Sequence, residues 1–280
     1  MKFAEIAEFF ERMEVTSKRL ELTEILVELL KNTPINVISK VTYLIQGKLR
    51  PNFEGVELGI AERLAMKAIS KSAGVSMKKI EDSYKVGGDL GVTAANILKQ
   101  KTQTTFSAES ITLERVYDTL FKIAKLEGKG SQDMKIKYIS SLLNDATTNE
   151  SKFILKILLG TLRLGIAENT LMDALAIAFT DEKSNRVLIE NAYNVSSDLG
   201  YVSEVVAKQG INGIKKFEIA IFNPIRPMLA DRVKSEEDAI KKFQDEFAAE
   251  YKLDGERAQI HKKGNEIIIF SRSLEKITQY

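Results

Sequence analysis

The sequence predicts a chain of two parts: an all-α unit over residues 1–218 and the start of an α+β unit over residues 219–280. Three observations predict this division. Apolar residues recur at helical spacing to about residue 215, and alternating apolar and polar residues are scarce before Phe243. A set of short motifs is repeated within the helical part. Pro224 and Pro227 then mark a stiff linker that a helix would not cross.

Composition narrows the classes of protein. With 44% hydrophobic and 29% charged residues, the chain matches ordinary globular proteins. The absence of cysteine excludes disulfides, thiol nucleophiles and cysteine-bound zinc, and the single histidine, His261, is expected to be structural. A net charge of +2 means that any nucleic-acid surface must be a local patch. Neither a signal-peptide core nor a membrane-length apolar run is found, so a cytoplasmic protein without membrane contact is expected.

The helices of the first part are predicted from apolar spacing. Residues such as Phe3, Ile6 and Phe10 place the first helix, and Thr16 with Ser17 is expected to cap the second. Further amphipathic segments lie at residues 37–45, 61–72, 78–84, 112–126, 131–143, 152–159, 171–179, 186–192 and 202–208. Beyond the linker, Ser235 is expected to cap a short helix that ends at Phe243.

An internal repeat runs through the helical part. Residues 47–50 (Gly-Lys-Leu-Arg) and 58–62 (Leu-Gly-Ile-Ala-Glu) recur as residues 160–163 (Gly-Thr-Leu-Arg) and 164–168 (Leu-Gly-Ile-Ala-Glu). The conserved order predicts a duplicated helical unit with a pseudo-two-fold axis. The basic residues at these junctions, Lys48, Arg50 and Arg163, could grip both strands of a duplex. Alternatively, duplication only enlarged the core, and the glycines simply end helices.

A second candidate contact is the loop at residues 128–132 (Gly-Lys-Gly-Ser-Gln). Lys129 and Gly130 precede a helix that Ser131 is expected to cap. Free backbone N–H groups at a helix start favour an anion such as a backbone phosphate. The glycine pattern alone is weak evidence, because many loops before helices share it.

The most informative stretch follows the linker. Lys252 is followed closely by Asp254, Gly255 and Arg257, and residues 258–261 and 266–271 alternate as two strands of a hairpin that turns at residues 263–265. Desolvation or neighbouring cations would free the lone pair of Lys252 for attack on a nucleotide phosphate. Arg257, together with Arg272 at the end of the returning strand, could bind phosphate oxygens. An ordinary hairpin with solvated charges is the alternative.

Residues 250–261, together with residues 270–272 (Phe-Ser-Arg), strongly resemble the first nucleotidyltransferase motif of ATP-dependent DNA ligases of the archaeal and eukaryotic replicative type. The Gly-Ser-Gln at residues 130–132 and the Pro-x-x-Pro-Met-Leu at residues 224–229 resemble that family's DNA-binding domain and the opening of its adenylation domain. The resemblance implies a pseudo-two-fold helical DNA-binding domain over residues 1–218. Residues 219–280 would be the linker and an incomplete α+β nucleotidyltransferase (adenylation) domain, so the chain is expected to be an amino-terminal fragment that binds DNA without joining it.

The resemblance also implies a chemistry. Lys252 would attack the α-phosphate of ATP, and the AMP would pass to the 5′-phosphate of a nick before the 3′-hydroxyl displaces it. Glu250 would contact the adenine amino group, while Arg257 and Arg272 would hold ribose and phosphate. The required Mg²⁺ would find its ligands in the part of the ligase that lies outside residues 1–280. The partner would be nicked double-stranded DNA bound by a monomer, with a sliding clamp as a further candidate. The DNA contacts would be Lys48, Arg50, Lys129, Gly130, Ser131 and Arg163.

Two other functions stay open at this point. One is a related lysine nucleotidyltransferase, such as an RNA ligase or an mRNA-capping enzyme, although the long helical front part argues against it. The other is a DNA-binding module without catalytic activity that keeps a vestigial motif. A covalent nucleotide on Lys252 would separate the enzymes from the module.

Overall fold

The structure is a computed structural model that describes residues 1–99, 110–228, 231–243, 246–251 and 253–278. These residues are mostly helical, with a small two-stranded sheet near the end. In the described ranges, every helix is too short or too polar to cross a membrane. The helices are α1 (Phe3–Glu14), α2 (Arg19–Asn32), α3 (Ile38–Ile45), α4 (Glu62–Ala73), α5 (Met77–Gly87), α6 (Leu90–Lys99), α7 (Leu113–Lys125), α8 (Ser131–Asp145), α9 (Thr148–Leu158), α10 (Glu168–Thr180), α11 (Arg186–Ser196), α12 (Leu199–Ile214) and α13 (Glu236–Phe243).

The predicted helices are present, but two predicted caps are wrong. Helix α2 begins one residue after Lys18, which makes no side-chain cap, so neither Thr16 nor Ser17 caps it. Helix α8 is preceded by Gly130 with φ of 84° and lacks a side-chain cap, so Ser131 is its first helical residue instead. The cap at Ser235 is confirmed, because its hydroxyl oxygen lies 3.2 Å from the backbone nitrogen three residues on. Helix α6 was not predicted.

Helices α1–α6, the first series, and α7–α12, the second series, begin side by side. The N–H of Phe3 donates to the carbonyl of Ile111 at 2.9 Å, and the N–H of Leu113 donates to that of Met1 at 3.0 Å. The two hydrogen bonds join the residues just before α1 to those just before α7 in a short antiparallel bridge. The starts of the two series are therefore fixed against each other by reciprocal contacts.

Helices of the first series also pack in the core against helices of the second series. Helix α3 packs chiefly against α12, and α9 packs chiefly against α6. In the same way α2 packs against α10, and α8 packs against α4. Each of these helices therefore packs extensively against the other series, and one continuous hydrophobic core results.

Two glycines make the closest of these crossings possible. A Cβ on Gly91 of α6 would lie 2.7 Å from the backbone oxygen of Lys152 in α9. A Cβ on Gly200 of α12 would overlap the ring of Tyr43 in α3. Only glycine lets the backbones approach this closely. Asp-Leu-Gly occurs at residues 89–91 and again at residues 198–200, so this repeated motif supplies a glycine at both crossings.

The aspartates of the same motif bind across the two series. The hydroxyl of Tyr43 donates to Asp198 at 2.6 Å, and the ammonium of Lys156 lies 3.2 Å from Asp89. Both aspartates also accept a backbone N–H three residues further along, at 2.9 Å. Each aspartate therefore starts its own helix and anchors a helix of the other series.

The sheet is the predicted hairpin, with strands β1 (Gln259–Lys263) and β2 (Glu266–Phe270) paired antiparallel. Gly264 in the turn has φ of 60°, which a glycine adopts without strain. The His261 ring meets the buried ring of Phe270 edge-on at 5.1 Å, and its Nδ1 accepts the N–H of Phe222 at 2.9 Å. These contacts agree with the expected structural role of the histidine.

Candidate functional site

The two repeated glycine junctions have the same backbone conformation. Gly47 follows α3 with φ of 69°, and Gly160 follows α9 with φ of 65°. In both, the N–H of the next residue donates to the carbonyl five residues before it, at 3.0 and 2.9 Å. This is the Schellman pattern that ends many helices. The glycines therefore do end helices at both junctions.

Both junctions line one groove. Its walls come from residues 47–50, 52 and 55–59 in the first series and from Ile157, Leu159 and Gly160 in the second. Glu275, which follows β2, lies at the rim, and the side-chain amide of Asn52 donates to the Ser273 carbonyl at 3.3 Å. The groove therefore joins the two repeats and touches the hairpin.

The arginines of the junctions are available to a ligand to different degrees. Arg50 is partly exposed, lies 5.6 Å from the ring of Phe121, and has its Nε 3.8 Å from the carboxylate of Glu54. Arg163 is exposed and has neither an ion pair nor a hydrogen bond to any residue that the structure describes. Arg163 is thus the freer of the two for a phosphate.

Lys48 is less accessible than its position in the motif predicted. Burial lowers the pKa of Lys48, the carboxylates of Glu168 and Asp198 oppose that change, and Arg226 adds to it. The side chain lines a small cavity with Glu168 at the start of α10. Lys48 therefore lies between the groove and a charged cluster of the second series.

The loop before α8 is open to solvent. Gly128 and Gly130 have φ of 79° and 84°, and Lys129 between them is exposed. Ser131 is partly buried at the first position of the helix, with its side chain free of the predicted capping bond. Its backbone N–H donates to the Gly128 carbonyl at 3.2 Å, so the loop is closed on itself beside an exposed cation.

The predicted nucleotide contacts are exposed. Glu250, Arg257 and Arg272 all lie at the surface. Within the described ranges, none of the three has a hydrogen bond or an ion pair. Lys252, the predicted nucleophile, lies outside the described residues.

Comparison with known proteins identifies the chain's relatives. The family model described as "DNA ligase N terminus" matches residues 2–176, more than half of the chain. The model described as "ATP dependent DNA ligase domain" matches residues 227–280. The chain belongs to the ATP-dependent DNA ligase family. The resemblance inferred from the sequence motifs is thereby confirmed.

Individual ligases support the same conclusion. The chain is 68% identical over its full length to the "DNA ligase" of Nitrosopumilus maritimus (strain SCM1). It is 43% identical over its full length to "DNA ligase 2" of Thermofilum pendens, and 43% identical over 99% of its length to "Probable DNA ligase" of Aquifex aeolicus. The chain spans about half the length of these curated relatives, between 47% and 48% of each.

Membership of this family implies the use of ATP and, in most members, a divalent metal. Across the described part of the chain, no three histidine, aspartate or glutamate side chains cluster as a metal site would require. The described residues therefore provide no set of Mg²⁺ ligands to which a step of the chemistry could be assigned.

One polar cluster was missed by sequence reasoning. Glu168 of α10 accepts hydrogen bonds from Tyr193 of α11 at 2.6 Å and from the Arg226 guanidinium at 3.2 and 2.7 Å. Glu168 does stand in the repeated motif, and Arg226 stands in the proline-rich linker. Neither position in the sequence indicates that these two side chains, which are 58 residues apart along the chain, are in contact.

Proposed function

We propose that the full-length protein is an ATP-dependent DNA ligase that seals nicks in duplex DNA through an AMP-linked Lys252. The observation that carries this proposal is the match of residues 227–280 to the ATP-dependent ligase domain. The ε-nitrogen of Lys252 would attack the α-phosphorus of ATP, form an N–P bond and release pyrophosphate. The 5′-phosphate of the nick would then take the AMP, and attack by the 3′-hydroxyl would release AMP and join the strand.

The residues around Lys252 have separate roles in this proposal. Glu250 contacts the adenine amino group, and Arg257 and Arg272 hold ribose and phosphate. The exposure of both arginines and their lack of partners among the described residues support this role, because their charges are free for a ligand. Lysine attacks only when neutral, and desolvation together with the nearby arginine charges would favour that neutral form.

We further propose that residues 1–218 are a DNA-binding domain built from two copies of one helical unit. The reciprocal packing of α3 with α12 and of α9 with α6 supports a pseudo-two-fold relation, as do the matching Schellman turns at Gly47 and Gly160. Residues 219–280 would form the linker and the first part of the adenylation domain. By themselves, residues 1–280 would bind DNA without joining it.

The proposed DNA surface comprises the groove at the two junctions, the exposed Arg163 beside it in sequence, and the loop before α8. One copy would contact each strand through phosphates, across the minor groove and without sequence preference. Arg163 and Lys129 are the best-supported contacts because both are exposed. Lys48 would have to move out of its partly buried position in the small cavity that it lines with Glu168 to reach a phosphate. The remaining members of the set are Arg50, Gly130 and Ser131.

The partners follow from this surface. Both junctions lie in one chain, so a monomer would suffice to hold nicked double-stranded DNA. A sliding clamp as a further partner stays a prediction. Mg²⁺ would be held by residues outside the described ranges.

The decisive experiment tests the nucleophile. Full-length protein is incubated with α-labelled ATP and Mg²⁺, and acid-stable label on the protein is measured. The parent should be labelled and Lys252→Ala should not, while Lys262→Ala, which removes an exposed lysine of β1, should label normally. Label that persists on Lys252→Ala would remove the assignment and favour a different nucleophile, whereas a parent protein without label would favour a DNA-binding module.

A further inference from the structure

The linker at residues 222–226 is bound tightly to the second helical series. Its Arg226 forms a bidentate pair with Glu168 at 3.2 and 2.7 Å, and the guanidinium lies 4.0 Å from the centre of the Tyr193 ring. The N–H of Arg226 donates to the Asn194 carbonyl at 2.8 Å. Planar stacking and a double hydrogen bond favour arginine over any other residue here.

The same five residues are bound to the hairpin on their other side. The Gln259 side-chain amide accepts the N–H of Ile225 at 2.8 Å and donates to its carbonyl at 3.0 Å. The Nδ1 of His261 accepts the N–H of Phe222, so its Nε2 donates to the Gln259 oxygen at 2.8 Å. The linker is therefore a contact strip between α10–α11 and β1.

One backbone conformation indicates that these contacts are needed. Phe222 has φ of 70°, a left-handed conformation that costs energy for a residue with a large side chain. Its N–H is the one bound by His261. The strip thus holds a conformation that a free linker would avoid.

The first helical series contains a matched pair without a linker. The hydroxyl of Tyr84 in α5 donates to Glu62 in α4 at 2.8 Å, just as Tyr193 in α11 donates to Glu168 in α10. Glu62 is exposed, and no arginine pairs with it among the residues that the structure describes. The duplication therefore provides a natural control, because Glu62 stands where Glu168 stands but holds no linker.

We propose that residues 222–226, through Arg226 and Glu168, are a latch that fixes the orientation of the hairpin unit relative to the helical unit. Resting on the proposed ligase function, the latch is a positioning device for the steps on DNA. Self-adenylation of Lys252 needs only ATP and its own domain, so it does not need the latch. Transfer to a nick needs DNA held by the helical unit to reach that lysine, so it does.

The first test measures orientation without DNA or ATP. The 280-residue chain has no cysteine, so Lys71→Cys in α4 and Lys262→Cys in β1, both exposed, can be spin-labelled selectively. Double electron–electron resonance should give one narrow distance for the parent and a broad distribution for Glu168→Gln. The control Glu62→Gln should resemble the parent. An unchanged distribution in Glu168→Gln would overturn the latch.

The second test uses the full-length protein. Glu168→Gln should self-adenylate within about twofold of the parent but seal nicks at least about tenfold more slowly. Arg226→Lys, which keeps the charge and loses the double hydrogen bond, should fall between them, and Glu62→Gln should match the parent. Equal sealing, or an equal loss of both steps, would contradict the proposal. If the parent itself neither adenylates nor seals, the ligase function fails, while the distance measurement still decides whether the latch exists.

Discussion

Substitution of Gly200 by alanine tests the interlocked core most directly. The new Cβ would overlap the ring of Tyr43, which is 3% exposed and whose hydroxyl is held by Asp198 at 2.6 Å. The ring therefore cannot turn away without losing that hydrogen bond. Overpacking of a close-packed core costs about 1–3 kcal/mol, and alanine recovers at most about 1 kcal/mol of helix propensity. The new Cβ would lie closer than 3.0 Å to three ring carbons of Tyr43, which places the overpacking cost in the upper part of that range, so the expected net loss in the free energy of unfolding is about 1–2 kcal/mol.

Urea unfolding followed by far-ultraviolet circular dichroism measures this loss. A smaller residue opposite should relieve the overlap, so Gly200→Ala combined with Tyr43→Leu should lose less than the sum of the single changes. The difference should reach at least about 0.5 kcal/mol, as for residues in contact. Unchanged stability in Gly200→Ala, or strict additivity in the double variant, would refute the close contact between α3 and α12.

Three further changes test the DNA surface and the charged contacts. Arg163→Glu should weaken binding to nicked duplex about tenfold and make the slope of log affinity against log salt concentration shallower by about one. The exposed control Lys71→Glu should change neither quantity. Equal affinities of Arg163→Glu and the parent would contradict the proposed DNA contact. Burial alone would raise the pKa of Glu168, but the hydrogen bonds from Arg226 and Tyr193 outweigh it, so that the pKa is lowered. The stability that the Glu168 carboxylate contributes is therefore fully present above pH 4.5 and is lost as the pH falls through the pKa of the folded state. The stability difference between the parent and Glu168→Gln should therefore shrink on acidification, and a constant difference would count against the pair. Lys156→Met should cost about 1–3 kcal/mol in urea unfolding, because Asp89 and Glu14 both lose the cation that they share. Addition of Asp89→Asn should restore part of this loss, which a purely apolar role of Lys156 would not allow.

Local sequence pattern predicted most helices but not their exact starts. Helix α6 was missed even though Leu90, Ala94 and Ile97 lie at helical spacing, because Gly91 lowers helix propensity. That glycine is explained only by the approach of Lys152 from α9, a long-range contact. Rules based on local sequence evaluate helix propensity, whereas the close crossing of α6 and α9 depends on packing between segments that are distant in the sequence.

The candidate site shows the same division. The repeated motif placed Arg163 on a surface junction, and the structure finds that side chain exposed. The motif also predicted an exposed side chain for Lys48, yet that side chain is partly buried, near Glu168 of the other series. Arg226 was read only as part of a stiff linker. Ion pairs between remote parts of the chain leave no periodic signal, so sequence reasoning could not find them.

The packing between the two series has a consequence for synthesis on the ribosome. Helix α3 is complete at Ile45, but its main partner α12 ends at Ile214. During translation, the face of α3 that packs against α12 therefore stays exposed to solvent until nearly all of the helical part has been synthesised. Such late closure slows folding and leaves the nascent chain dependent on chaperones for longer than two independent halves would be.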